Sequence, residues 1–336
     1  MKKAYIITGA CMGGAFLAAL IVAFIYLGSC FSKSGEKTYL YIYKGDIPSD
    51  VKVSLHDAGV RTCGFTLLCK VAGYKVRAGR YAVMPGENLL TLFRRLRNGQ
   101  QEAVNLTIPS LRTMDRLAGY LSNHLMLDST EVAQAFSDGD FTQRFGYTPQ
   151  TLPALFIPNT YQVYWTTSLD ELMERMKREN AAFWNEERTA KAKTAGLTKE
   201  EVMTLASIVD EETANNGEKP MIAGMYMKRL SIGMPLQADP TVKFAVGDFS
   251  LRRIYQKHLT VESPYNTYKH TGLPPGPIRI PSIAGIDAVL NYVHHDYLFM
   301  CAKEDFSGTH NFARTYQEHL KNARKYTQAL NERGVH

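Results

Sequence analysis

The sequence predicts a mixed α+β protein carried on a single N-terminal transmembrane helix, with a small α+β subdomain ahead of a larger α+β domain. Three observations support this. An uncharged apolar run over residues 4–28 follows Met1-Lys2-Lys3. Beyond it, segments of helical apolar spacing alternate with short runs of β-branched and aromatic residues. The 336 residues, 45% hydrophobic and 21% charged, suffice for a sizeable core and about two domains. The expected divisions are 1–28 for a cytoplasmic stub and the transmembrane helix, 29–37 for a linker, 38–110 for the small subdomain, 111–195 for a helical connecting region and 196–336 for the main domain.

The elements follow in order. About 25 apolar residues rising ~1.5 Å each cross a ~30 Å hydrocarbon layer with some tilt. Lys2 and Lys3 favour a cytoplasmic N-terminus, which leaves the chain beyond about Ser29 outside, although Lys33 and Lys37 weaken the contrast. A cleaved signal peptide would have a shorter apolar core, ~7–15 residues. Leu27-Gly28-Ser29-Cys30 offers another alternative, a lipid anchor on Cys30. Residues 38–43, TYLYIY, read as a strand and 51–60 as a short helix. A strand over 79–84 leads through Pro85-Gly86 into a helix over 88–97, and 104–108 is a further strand. This strand, turn and helix pattern resembles a LysM-like portion, with a plain α+β packing unit as the alternative. Helices are expected over 113–125, over 129–136 with Ser129 or Thr130 as cap, and over 169–184; residues 155–161 read as an apolar loop.

Net charge is +7 and the isoelectric point is near 9.0, which suits an anionic surface or polymer. No nucleic-acid module signature accompanies the charge. The five cysteines lack the paired spacing of a zinc site or a redox pair, so no metal and no cofactor is expected. Cys63 and Cys69 either bridge or remain free thiols.

Residues 197–216, LTKEEVMTLASIVDEETANN, organise the main domain. Thr198 with Glu201 makes a capping box, and Val202, Leu205, Ile208 and Val209 mark the inward face of the helix it opens. Glu212 is next on that face, while Glu211 and Asp210 turn about 100° and 200° away. A carboxyl there is either a helix-end charge, exposed or paired with arginine, or a general acid whose proton is retained by desolvation. A second helix over 218–230, a turn-rich loop over 233–241 and Pro/Gly-rich loops carrying Tyr, Asn and Thr over 263–278 follow. Such loops are good walls for a polar groove. A helix over 283–293, strands over 297–302 and 309–312, and a closing helix over 316–333 complete the chain.

Leu205-Ala-Ser-Ile-Val-Asp-Glu-Glu-Thr213, Arg229-Leu230, Gly233-Met234, Leu236-Gln237, Asp239-Pro-Thr241, Tyr265-Asn-Thr-Tyr268, Gly272-Leu-Pro-Pro-Gly-Pro-Ile278 and His310-Asn-Phe312 together resemble the endolytic murein transglycosylase family, the YceG-like or MltG family. The family's catalytic glutamate falls on Glu212, where helical phase already points; the first acid of its motif is Asp210 here. Upstream the match loosens, with Pro109-Ser-Leu111 and Ile157-Pro-Asn-Thr-Tyr161 departing from the family's pattern.

The resemblance implies a lytic transglycosylase, without cofactor, held in the bacterial inner membrane by one pass with a periplasmic body. Its substrate would be peptidoglycan glycan strands and its candidate protein partners peptidoglycan synthases. Glu212 would protonate the glycosidic oxygen between N-acetylmuramic acid and N-acetylglucosamine. It would then take the proton of the muramyl C6 hydroxyl as that oxygen closes a 1,6-anhydro ring, a product expected to terminate strand growth. Gln237, Tyr265, Asn266 and Tyr268 are candidates for holding the sugar or its N-acetyl group; for each, satisfying loop backbone is the alternative. Asp239 is read first as a turn or helix start, Arg229 as a helix-end charge and His310 as a structural hydrogen-bonder. The competing functions are a hydrolytic muramidase and a non-catalytic wall-binding scaffold.

Overall fold

The computed structural model describes residues 2–28, 36–251 and 253–333, with side chains from Gly13 onward. Most of the expected linker, and Cys30 with it, lies outside the described residues. Helix α1 (Lys2–Leu27) is continuous over 26 residues, about 39 Å at 1.5 Å per residue. Its large side chains Phe16, Leu17, Leu20, Ile21, Val22, Phe24 and Leu27 are exposed. Among the described residues no helix is long and apolar enough to cross a membrane. The first part of the expected span, residues 4–12, falls outside the described side chains.

The chain folds as two compact units, one of residues Met1–Leu106, Asn123–Leu127 and Tyr161–Ser168, the other of the remainder. The expected connecting region, 111–195, is thus divided between them. In the first unit β1 (Thr38–Ile42) and β2 (Gly79–Val83) pair antiparallel, Thr38 opposite Val83 and Ile42 opposite Gly79. Two helices lie between them in sequence, α2 (Pro48–Asp57) and α3 (Phe65–Val71), and α4 (Leu89–Asn98) follows. Helix α2 starts three residues earlier than the apolar pattern suggests because Pro48 suits the first turn and Asp50 accepts the Ile47 N–H at 3.0 Å. Helix α3 escapes sequence reading. It has seven residues and opens on Gly64 in the left-handed region (φ 84°), without a side-chain cap.

Ile42, Leu55, Phe65, Tyr81, Leu92 and Leu96 fill the core of this unit. Cys63 is exposed and Cys69 buried, and both are free thiols. The strand β3 (Val104–Thr107) pairs with β4 (Thr160–Val163), so part of the apolar loop expected at 155–161 is strand.

The second unit is mainly helical: α5 (Met114–His124, all but its last two residues), α6 (Ser129–Ser137), α7 (Gly139–Gln143), α8 (Leu169–Phe183), α9 (Glu186–Thr194), α10 (Lys199–Glu212), α11 (Lys219–Ser231), α12 (Asp239–Val246), α13 (Gln256–Leu259), α14 (Ile283–Leu290) and α15 (Tyr316–Glu332). Helix α6 is capped by Asp128 rather than by Ser129 or Thr130: one aspartate oxygen accepts from Thr130 N at 2.8 Å and Glu131 N at 2.9 Å. A hairpin of β5 (Phe299–Ala302) and β6 (His310–Ala313) is antiparallel. The architecture is α+β with helix predominating, and the strands among the described residues pair in three separate two-stranded sheets.

Helix α10 runs through the middle of this unit. Val202, Leu205, Ile208 and Val209 pack with Ile222 and Ala223 of α11 and Ile286 and Val289 of α14. Gly285 allows α14 to come close, since a side-chain carbon there would stand 2.5 Å from Asp210 Oδ1. The core therefore fixes the angle at which the end of α10 leaves it.

Candidate active site

The capping box forms as the sequence predicts: Glu201 N donates to Thr198 Oγ1 at 3.1 Å and Thr198 N to Glu201 Oε2 at 2.7 Å. With its start fixed, the three acids at the end of α10 go to different surroundings. Asp210 meets Lys219 Nζ at 2.8 Å, with side-chain exposures of 3% and 7%, and accepts the N–H and hydroxyl of Ser282 at 2.6 and 2.8 Å. Glu211 receives a two-pronged bond from Arg112 at 2.8 and 2.9 Å and a third from Arg279 at 2.9 Å. Glu212 forms no ion pair among the described residues. Its Oε1 accepts the hydroxyl of Tyr226 at 2.6 Å.

Desolvation, with no ion pair to offset it, sets the proton affinity of Glu212. Burial pushes its carboxyl up from the ordinary 4.5 to about 7; the Tyr226 hydrogen bond pulls downward, nearby Asp239 upward, and His310 and Lys243 downward. Burial, reinforced by Glu212, also raises the Tyr226 phenol well above its usual range, so it stays a donor. Near neutrality the Glu212 carboxyl is therefore poised between its two states.

It opens into a groove of about 330 Å³ lined by Tyr226, Arg229, Gln237, Asp239, Tyr268 and His310 among others. Tyr268 donates its hydroxyl to Asp239 Oδ1 at 2.6 Å. Asp239 begins α12, as the sequence suggests, but its carboxylate caps no backbone N–H there. Gln237 sits at φ 50°, in the left-handed region that non-glycine residues seldom occupy. Its N–H is held by Thr267 O at 3.1 Å and its side-chain oxygen by Arg229 at 3.4 Å.

Arg229, only 6% exposed, is a clamp rather than a helix-end charge. It donates to the carbonyls of Leu298 at 2.7 Å, Pro235 at 3.1 Å and Leu236 at 2.7 Å, and burial lowers its proton affinity. His310 is anchored by Glu218, which takes its backbone N–H at 2.6 Å and faces its Nδ1 at 2.9 Å. It is both a structural hydrogen-bonder and part of the groove wall.

Of the sequence-derived residues, the structure brings Glu212, Gln237 and Tyr268 together in the groove, whereas Tyr265 and Asn266 do not line it. Tyr265 packs on the core with its ring 4.7 Å from Phe244, and burial pushes its phenol up to about 12. Asn266 is fully buried. Its Nδ2 donates to Leu259 O and Val261 O, both at 2.9 Å, and its Oδ1 accepts Tyr268 N at 3.1 Å. These two shape the loop that presents Tyr268. Tyr226 was the residue sequence reading missed. It follows Ile222 by one helical turn on an apolar face, and a buried phenol needs a polar partner, which was the available signal.

A lone carboxyl free of cations, held by a phenol and facing a polar cleft, has the attributes of a proton-transferring site. The chain belongs to the YceG-like family, whose pattern matches residues 40–325. It is similar to the endolytic murein transglycosylase of Bacillus subtilis, with 29% identity over 273 residues, 76% of this chain and 75% of that protein. The endolytic murein transglycosylase of Streptococcus pneumoniae is 26% identical over 369 aligned positions, covering 93% of this chain; the chain spans 66% of that relative's length. The crystal structure of a YceG-like protein from Listeria monocytogenes superposes with a TM-score of 0.56 at 27% identity, over 86% of this chain and 99% of that one.

Proposed function

We propose that this chain is a membrane-anchored endolytic lytic transglycosylase acting on peptidoglycan glycan strands. One observation carries the reading: of three consecutive acids, only Glu212 is free of cations, and burial keeps it protonatable near neutrality. In the proposed reaction Glu212 gives its proton to the oxygen leaving C1 of N-acetylmuramic acid. The resulting carboxylate accepts the proton of the same sugar's C6 hydroxyl as that oxygen bonds to C1, leaving a 1,6-anhydro end. One carboxyl serves both steps, with Tyr226 as the donor that accommodates its charge. Gln237 and Tyr268 are the proposed sugar contacts, and Tyr265 and Asn266 contribute by setting the loop.

Anchoring through α1 is part of the proposal, supported by the exposed apolar side chains along its described half. The body would then lie outside the inner membrane, where strand cleavage ends elongation and brings it beside peptidoglycan synthases. The two helices between paired strands support a LysM-like role for the first unit.

Asp239 in the same groove gives a hydrolytic muramidase its best support, because hydrolysis normally uses two carboxyl groups. Mass spectrometry of products from purified strands decides: an anhydro end is lighter by one water than a hydrolysed end. Anhydro ends from the wild type and none from Glu212→Gln are expected. Hydrolysed ends would replace the transglycosylase with a muramidase, and no new ends would leave only a wall-binding scaffold.

A further inference from the structure

Beyond Arg229 the groove has a second wall that the proposed chemistry does not use. Phe299 of β5 and Tyr316 and His319 of α15 line it. The i, i+3 spacing puts Tyr316 and His319 on one face of the helix, and the β5–β6 hairpin brings Phe299 against both. The Phe299 ring lies 5.8 Å from that of Tyr316 and 5.5 Å from that of His319, the second pair stacked at 27°. The Arg229 guanidinium stands 5.4 Å from the Phe299 centroid, so the residue that clamps the Gln237 loop also backs this wall.

Two features distinguish the wall from core packing. Tyr316 is 59% exposed, on a helix with no fully buried residue. His319 Nδ1 is shielded from solvent and has no hydrogen-bond partner among the described residues, a state that core packing seldom leaves. Burial and nearby Arg229 hold the His319 imidazole below the usual histidine range, so near neutrality it is an uncharged ring with one donor and one acceptor nitrogen.

We infer that Phe299, Tyr316 and His319 form a saccharide platform that takes one pyranose ring of the glycan strand, neighbouring the ring whose bond is cut. The C–H face of a pyranose is apolar and suits an aromatic surface, while its hydroxyls need uncharged polar partners at the edge. The platform supplies both. The inference rests on the proposed glycan substrate and adds a subsite to it.

The test uses the purified full-length chain and glycan strands stripped of peptide. Tyr316→Ala is expected to raise KM about three- to tenfold, as for a lost aromatic contact, with kcat changing less than about twofold. Tyr316→Phe should restore KM, and His319→Ala should raise it. Because Tyr316 is exposed, its replacement leaves the core intact, which thermal melting checks. The dissociation constant of the same strands is also measured in Glu212→Gln with and without Tyr316→Ala, where turnover is not needed. Unchanged KM and unchanged binding of the stripped strands in the alanine variants would overturn the platform. Cleavage persisting in Glu212→Gln would instead remove the acid assignment, and the binding ratio would still judge the platform.

Discussion

Two grooves of this protein differ in a way that separates capacity from chemistry. The one beside α2 and α3, about 710 Å³, is lined by Pro48, Val53, Thr66 and Cys69 with Lys52, His56 and Lys70 around them. The one at the end of α10 has less than half that volume, about 330 Å³. In the larger groove the Cys69 thiol is pushed up by burial, away from the nucleophilic thiolate. The smaller contains a carboxyl with no ion pair among the described residues, held near neutrality by burial. In the proposed reaction, reactivity follows the desolvation of one side chain rather than the space available.

The largest effect that could break this contrast is catalytic. Glu212→Gln keeps the shape and the Tyr226 contact, and should cut turnover by about 10²–10⁴-fold while circular dichroism stays unchanged. Next comes a neighbour with the opposite signature. Asp210→Ala leaves Lys219 buried without its partner and should lower stability by about 3–5 kcal/mol in urea unfolding. A pure loss of rate with full stability would mean that the two acids had been assigned the wrong way round.

The third effect is a linkage. The folded state holds the Glu212 proton up to about pH 7, whereas the unfolded chain releases it near 4.5. Between these values the folded state binds more protons, so stability falls as pH rises. Glu212→Gln removes that loss and should be more stable than wild type by about 3 kcal/mol at pH 8, the difference vanishing below pH 4.5. The activity of the wild type should decline above about pH 7 as the acid ionises. Tyr226→Phe is smaller: about a tenfold loss of rate, with the alkaline limb moved to higher pH because the carboxylate has lost its donor. The smallest expected effect is that of Val53→Ser in the large groove, a change in kcat below about twofold; a larger one would give that groove a part in the chemistry.

The same contrast governs what was legible in sequence. Regular spacing is local information, so the Thr198–Glu201 cap, the apolar face of α10 and the direction of Glu212 could all be read directly. Short elements could not: α3 begins on a left-handed glycine without a side-chain cap, and α7 and α13 have too few residues for a periodic signal. Partners distant in the chain were also hidden. Nothing near Glu211 announces Arg112, 99 positions away, and nothing near Arg229 announces the carbonyl of Leu298, 69 away. In 265–268 two tyrosines flank Asn266 and Thr267, and only the fold decides that Asn266 ties down a loop while Tyr268 faces the cleft.

Glu212 is also the last residue of α10, where the aligned peptide carbonyls present the negative pole of the helix dipole. An anion at that pole is disfavoured by roughly 0.3–1 kcal/mol. In the proposed reaction the backbone itself would therefore help to recharge the acid: after each proton was given away, fourteen residues of helix would push the carboxylate to take another.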